Sequence, residues 1–219
     1  MTETGMDYAE KIKELVLVDF RADPPDVSWS DNSLWWKVRD TGTQLWLDTG
    51  DLDASASLWC NQFSAVTTNN SLLNEEVQEG TYDELIEKTA DELQGTVPEQ
   101  RLVEEICFVL NASHALKLSH RLDAKVSVEL HTAAAEDLDL TLAYARRFYD
   151  IAPERFYIKV PLTAPGLIAT RRLGREGIPV NFTLGFSARE NYLAAAVAEP
   201  AFVNVFLGRL NSVVKDNGL

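Results

Sequence analysis

The chain has 219 residues, 46% of them hydrophobic and 25% charged, with a formal net charge of −14. That is enough apolar material for one substantial core. The acidic balance argues against a duplex nucleic-acid surface, because Arg146-Arg147 and Arg171-Arg172 are isolated pairs in helical stretches and make no basic patch.

Residues 1–14 are polar and acidic and lack the apolar centre of a signal peptide. No apolar run approaches the roughly 20 residues of a membrane span, so a cytoplasmic location is expected. Tyr8 to Phe20 reads as an amphipathic helix, which Asp23-Pro24-Pro25-Asp26 is expected to break. Ser33 to Arg39, with Trp35 and Trp36, reads as a second short helix. From residue 45 the pattern becomes rhythmic. Leu45 to Asp48 is an apolar run ending on a carboxylate, and Phe63 to Asn69 is a β-prone run ending on an amide. Helices are expected over Tyr82 to Leu93 and Gln100 to Ser119. Val126 to Glu129 again ends on a carboxylate, and Asp137 to Phe148 is helical. Phe156 to Val160 carries Lys159 inside its apolar run, before a helix over Gly166 to Glu176. Val180 to Leu184 carries Asn181 and Thr183. Ala188 to Ala198 is helical, and Phe202 to Phe206 closes the series.

Alternating strands and helices with short links imply an α/β fold with a parallel sheet. The strands are continuous apolar runs, as strands buried on both faces require. An open doubly wound sheet and a closed TIM-type (β/α)8 barrel both fit. The barrel is preferred because nearly every strand carries a polar residue in or near its C-terminal half, as strands sharing one mouth do. On this reading residues 1–44 are a helical segment packing on a barrel formed by residues 45–219. About six strand–helix units are legible where such a barrel has eight, and only Asn211 to Leu219 follow them. The expectation is a barrel incomplete at its C-terminus, whose exposed strand edges favour a homo-oligomer.

Lys159 lies among Tyr157, Ile158, Val160 and Pro161. A buried ammonium is costly, so such a lysine is either paired with an acid or neutral, and the neutral amine is the nucleophile of Schiff-base chemistry. Asp48 and Glu129 end apolar strands, where two carboxylates can move protons or pair with rim cations. Asn69, Asn181 and Thr183 can bond sugar hydroxyls or a water, although strand-end amides also serve turns. Cys60 and Cys107 read as buried thiols rather than a disulfide. His114 and His120 do not share a helical face, which speaks against a metal pair, and His131 reads as a solvated loop residue. No CxxC, GxGxxG or P-loop pattern is present.

Five co-linear blocks resemble the transaldolase family over about residues 45–210: Leu47-Asp48-Thr49-Gly50-Asp51, Val66-Thr67-Thr68-Asn69-Asn70-Ser71-Leu72, Tyr157-Ile158-Lys159-Val160-Pro161-Leu162-Thr163-Ala164-Pro165-Gly166-Leu167, Gly177 through Ser187, and Phe206-Leu207-Gly208-Arg209. The resemblance implies that Lys159 forms an imine with a ketose carbonyl. It implies that Asp48 is the base for C3–C4 cleavage, and that Glu129 with Thr183 holds the catalytic water. Asn69 and Asn181 would hold the intermediate, with Asn204 and Arg209 also facing substrate. The implied reaction moves a dihydroxyacetone unit from fructose 6-phosphate or sedoheptulose 7-phosphate to erythrose 4-phosphate or glyceraldehyde 3-phosphate, in the pentose phosphate pathway. It needs no metal or organic cofactor. An aldolase that releases dihydroxyacetone and a catalytically inactive barrel remnant are the alternatives. The chain departs from the family pattern at Asn70, where a proline is usual, and at Asn204-Val205, where serine–proline is usual. The family's seventh and eighth strands, which carry a phosphate-binding serine and arginine, find no counterpart here.

Overall fold

A computed structural model describes residues 3–18, 20 and 28–218, with side chains from residue 8 onward. The expected break at Asp23-Pro24-Pro25-Asp26 lies outside the described residues. The chain forms two compact units, Met1–Val128 with Ile151–Arg155, and Glu129–Asp150 with Phe156–Leu219.

In the first unit α1 spans Glu3–Leu17, α2 Ser33–Arg39, β1 Leu45–Asp48, α3 Leu52–Leu58 and β2 Phe63–Thr67. Then follow α4 (Asn70–Gln78), α5 (Asp83–Leu93), α6 (Glu99–Leu122) and β3 (Lys125–Glu129), whose last residue belongs to the second unit. The strands are parallel, with Asp48 beside Thr67 and Thr67 beside Ser127. Parallel pairing demands a crossover, and helices supply it. The 24-residue α6 is buried along most of its length, from Phe108 to Leu122, and α1, α3, α4 and α5 pack against it. That explains its weak amphipathic pattern, because a helix covered on several sides has no polar face to display. Asp123 ends it in the left-handed region (φ 47°) and pairs with Arg155 at 2.9 Å.

The second unit holds a 3-10 turn (Thr132–Ala134), α7 (Leu138–Ile151, its last residue in the first unit), β4 (Phe156–Pro161), α8 (Ala164–Arg175) and β5 (Val180–Thr183). Then come α9 (Ala188–Leu193) running into a π-turn (Ala194–Ala198), β6 (Phe202–Val203) and α10 (Leu207–Asp216). β4, β5 and β6 are parallel neighbours in that order. Phe182 packs outward with Ala194, Ala198, Leu162, Leu167 and Val203. By strand alternation, Asn181 and Thr183 therefore face the opposite side.

The α/β alternation is as expected, but several boundaries differ. α3 and α4 were not anticipated. Asp51 Oδ1 caps the first, accepting from the Asp53 and Ala54 amides at 2.8 Å, and Asn69 caps the second. β6 is shorter than Phe202 to Phe206, and α10 replaces the expected tail. Cys60 is a buried free thiol, whereas Cys107 is only partly buried, so the expectation of two buried thiols holds for one. Trp59 is buried and stacks on Phe63, and Trp36 is 43% exposed. Among the described residues no helix is long and apolar enough to cross a membrane.

His114 is fully buried in α6, with Nδ1 2.8 Å from the Tyr82 hydroxyl and the Lys117 ammonium 4.5 Å from the Tyr82 ring. Burial, then the charge of Lys117, pulls its pKa from 6.5 down to about 4. The unfolded chain therefore takes up a proton that the fold refuses. The stability tied to His114 is complete above about pH 6.5 and is lost as pH falls towards 4, to at most about 3 kcal/mol. Denaturant unfolding from neutral pH to about 4 is expected to show a smaller loss for H114Q than for the parent. Equal losses would remove His114 as the source.

Candidate active site

The second unit brings together two of the sequence-predicted residues in direct contact. Lys159 lies inside β4, 6% exposed, with its Nζ 3.7 Å from Glu129 Oε1. The backbone sets this meeting, because the Leu130 amide donates to the Lys159 carbonyl at 3.2 Å and so aligns Glu129 with Lys159. Residues aligned across parallel strands point to the same face. Lys159 is also aligned with Asn181, and Asn181 with Phe202. Glu129, Lys159, Asn181 and Phe202 therefore form one row. A second row, towards the C-terminal strand ends, contains Pro161, Thr183 and Asn204, the last placed by its amide donating to the Phe182 carbonyl at 2.8 Å. Thr183 is 1% exposed, and its hydroxyl has no hydrogen-bond partner among the described residues. A buried hydroxyl left in this state is ready to take a water or substrate oxygen.

The local sequence explains why these strands end where they do. Thr163 caps α8, accepting from the Gly166 amide at 3.1 Å and donating to the Ala135 carbonyl, while Pro165 fits the first turn, where its missing amide proton costs nothing. A side chain at Gly166 would run into the Pro161 carbonyl, so glycine lets α8 start directly above the end of β4. After β5, Leu184 adopts the left-handed region (φ 64°), a strained choice for a branched residue. Gly185 then packs against Asn191 and Leu162 with no room for a Cβ. Ser187 and Glu190 close a capping box, and the bonds from Ser187 and the Phe186 and Ser187 amides hold the Glu190 carboxyl below its ordinary range. Phe186 stacks near Phe206 at 5.4 Å, and the exposed Arg209 lies 4.9 Å from the Phe206 ring.

In the first unit Asp48 is the exposed last residue of β1. Asn69 is partly buried, and its Oδ1 caps α4 by accepting from the Ser71 and Leu72 amides at 2.9 and 3.0 Å. His131 is exposed, as expected, and its Nδ1 accepts from the Ala133 amide. No group of three or more His, Cys, Asp or Glu among the described residues could hold a metal ion. Sequence reading overlooked Phe202 as a lining residue of the lysine face. Its position two residues before Asn204 in an apolar run was the available signal.

A family model described as transaldolase/fructose-6-phosphate aldolase matches residues 45–218. The chain belongs to this family. A transaldolase of Xanthomonas oryzae pv. oryzae is 33% identical over 171 residues, covering 74% of this chain and 52% of that protein. Transaldolase 2 of Nostoc punctiforme is 32% identical over 176 residues, with 74% and 45% covered, and transaldolase 2 of a Nostoc species is 30% identical over 167 residues, with 70% and 43% covered. The chain thus spans about half the length of the curated relatives it matches. The matched region of this transaldolase-family chain includes each of the strands and every candidate residue described above.

Proposed function

We propose that this chain performs aldolase chemistry of the transaldolase type, with Lys159 as the nucleophile. The observation that carries the reading is a nearly fully buried lysine, 3.7 Å from a carboxylate and in one row with a buried asparagine, inside a family of aldolases. The Lys159 Nζ attacks the C2 carbonyl of a ketose phosphate, and loss of water from the carbinolamine leaves an imine. Glu129 moves the protons of that dehydration through a water held by the Thr183 hydroxyl. Asp48 removes the C4 hydroxyl proton, the C3–C4 bond breaks, and an aldose phosphate departs. The three-carbon enamine that remains on Lys159 then attacks an acceptor aldehyde and reverses the sequence. Asn69, Asn181 and Asn204 are assigned to the hydroxyls of the bound carbons, and Arg209 to the phosphate. On this reading fructose 6-phosphate and erythrose 4-phosphate give sedoheptulose 7-phosphate and glyceraldehyde 3-phosphate, and the parallel strands are those of a (β/α) barrel.

The family description also names fructose-6-phosphate aldolase, which keeps simple release of dihydroxyacetone as the second reading. Borohydride reduction with fructose 6-phosphate, followed by peptide mass mapping, tests the first step. A three-carbon adduct on Lys159 is the expected result, and a folded protein with no adduct would overturn the proposal. Product analysis with and without erythrose 4-phosphate separates transfer from release.

A further inference from the structure

The Lys159 face has a polar side towards the C-terminal strand ends and an aromatic side away from them. Tyr157 precedes Lys159 by two residues on β4 and so shares its face. Phe202 shares that face through its alignment with Asn181. The strands carrying these rings lie on opposite sides of β5, roughly 10 Å apart at normal strand spacing. Their ring centroids are nevertheless 5.2 Å apart in an edge-to-face contact with an interplanar angle of 85°. The rings must therefore meet over β5. Pro179 stands opposite Tyr157, one step before the aligned pair Ile158 and Val180, where the Ile158 amide donates to the Pro179 carbonyl at 2.9 Å.

We infer that Tyr157 and Phe202 are positioning residues that form a floor beneath Lys159 and Asn181. The inference rests on the Schiff-base reading for its catalytic consequence, but not for the floor itself. The lysine stem is flexible, and its rotamer freedom must be restrained if the amine is to stay in place. With the lower side closed by two rings, the stem cannot fold towards the N-terminal strand ends, and the amine is held at the level of Glu129. The floor also keeps water from entering the lysine row from below. Glu129, Asn181 and Thr183 face the amine from the neighbouring strands. Phe202 carries no proton-transfer group, so its effect must run through the placement of Lys159.

Two measurements on the full chain test this. The first is labelling of Lys159 by trinitrobenzenesulfonate without substrate, quantified by peptide mapping. The second is the rate of borohydride trapping with fructose 6-phosphate per folded protein. F202A and Y157L are expected to raise labelling several-fold and to slow trapping about tenfold, the scale expected of a nucleophile misplaced by a fraction of an ångström. F202L, which keeps the floor filled, is expected to stay within about twofold of the parent on both readouts. A lesion that only lowers stability would leave trapping per folded protein unchanged, and labelling is therefore compared under conditions where every variant is fully folded. Unchanged labelling and trapping in F202A and Y157L, with the parent adduct intact, would overturn the floor and leave the Schiff-base proposal standing. A parent without adduct, but with labelling that still rises in F202A, would retain the floor and remove the aldolase reading.

Discussion

Replacing Lys159 with methionine is expected to abolish the borohydride adduct and to lower turnover by at least about four orders of magnitude, the scale seen when a covalent nucleophile is removed. The physical case begins with burial. Lys159 is 6% exposed in the middle of a strand, where an ammonium would be costly without help. Glu129, at 3.7 Å, supplies that help and is also placed to exchange protons with the same nitrogen. Methionine keeps the length and apolar stem while deleting the amine, so the strand register and the neighbouring row are expected to survive. Glu129 keeps 21% of its side chain exposed and can be hydrated when the cation is gone. The melting temperature is accordingly expected to move by only a few degrees, on the scale of about 1 kcal/mol. Calorimetry and trapping on the same preparation check both halves. A variant that still forms the adduct would move the imine to another lysine, and one that fails to fold would show that the pair carries the strand rather than the chemistry.

Glu129→Gln is expected to lower kcat about 10²- to 10³-fold while leaving Lys159 able to form the adduct slowly, because general acid–base transfer contributes on that order. Glutamine preserves size and one hydrogen-bonding oxygen but cannot shuttle a proton. The expected signature is a fall in the trapping rate that parallels the fall in turnover, since water is lost in making the imine and regained in breaking it. Single-turnover trapping with fructose 6-phosphate provides the comparison. Normal trapping with slow turnover would instead place Glu129 after imine formation, and unchanged turnover would remove it from the chemistry.

Local sequence carried much of the secondary structure. Leu45–Asp48 and Ser33–Arg39 form at the predicted bounds, and the buried parallel strands announce themselves as unbroken apolar runs. These signals are short-range and survive without knowledge of partners. The misses have equally local causes. Asp51 and Asn69 are both helix caps, but reading Asn69 as a strand-end amide, and Asp51 only within the Leu47–Asp51 block, concealed α3 and α4. α10 is amphipathic in sequence, yet it has no buried residue in this structure and leaves Val213 and Val214 exposed.

The sequence by itself determined the alternating α/β pattern, the presence of a lysine within an apolar strand, and the ordered blocks that mark the family. Tertiary structure alone decided which carboxylate meets that lysine. Glu129 and Lys159 are separated by α7, and it is the Leu130–Lys159 backbone bond that puts them in register. It also decided that Tyr157 and Phe202 touch across β5. Periodicity and propensity act over a few residues, whereas register and ring contact depend on how long crossovers return one strand beside another. A one-residue slip would have turned Lys159 to the helix side of the sheet with the same sequence.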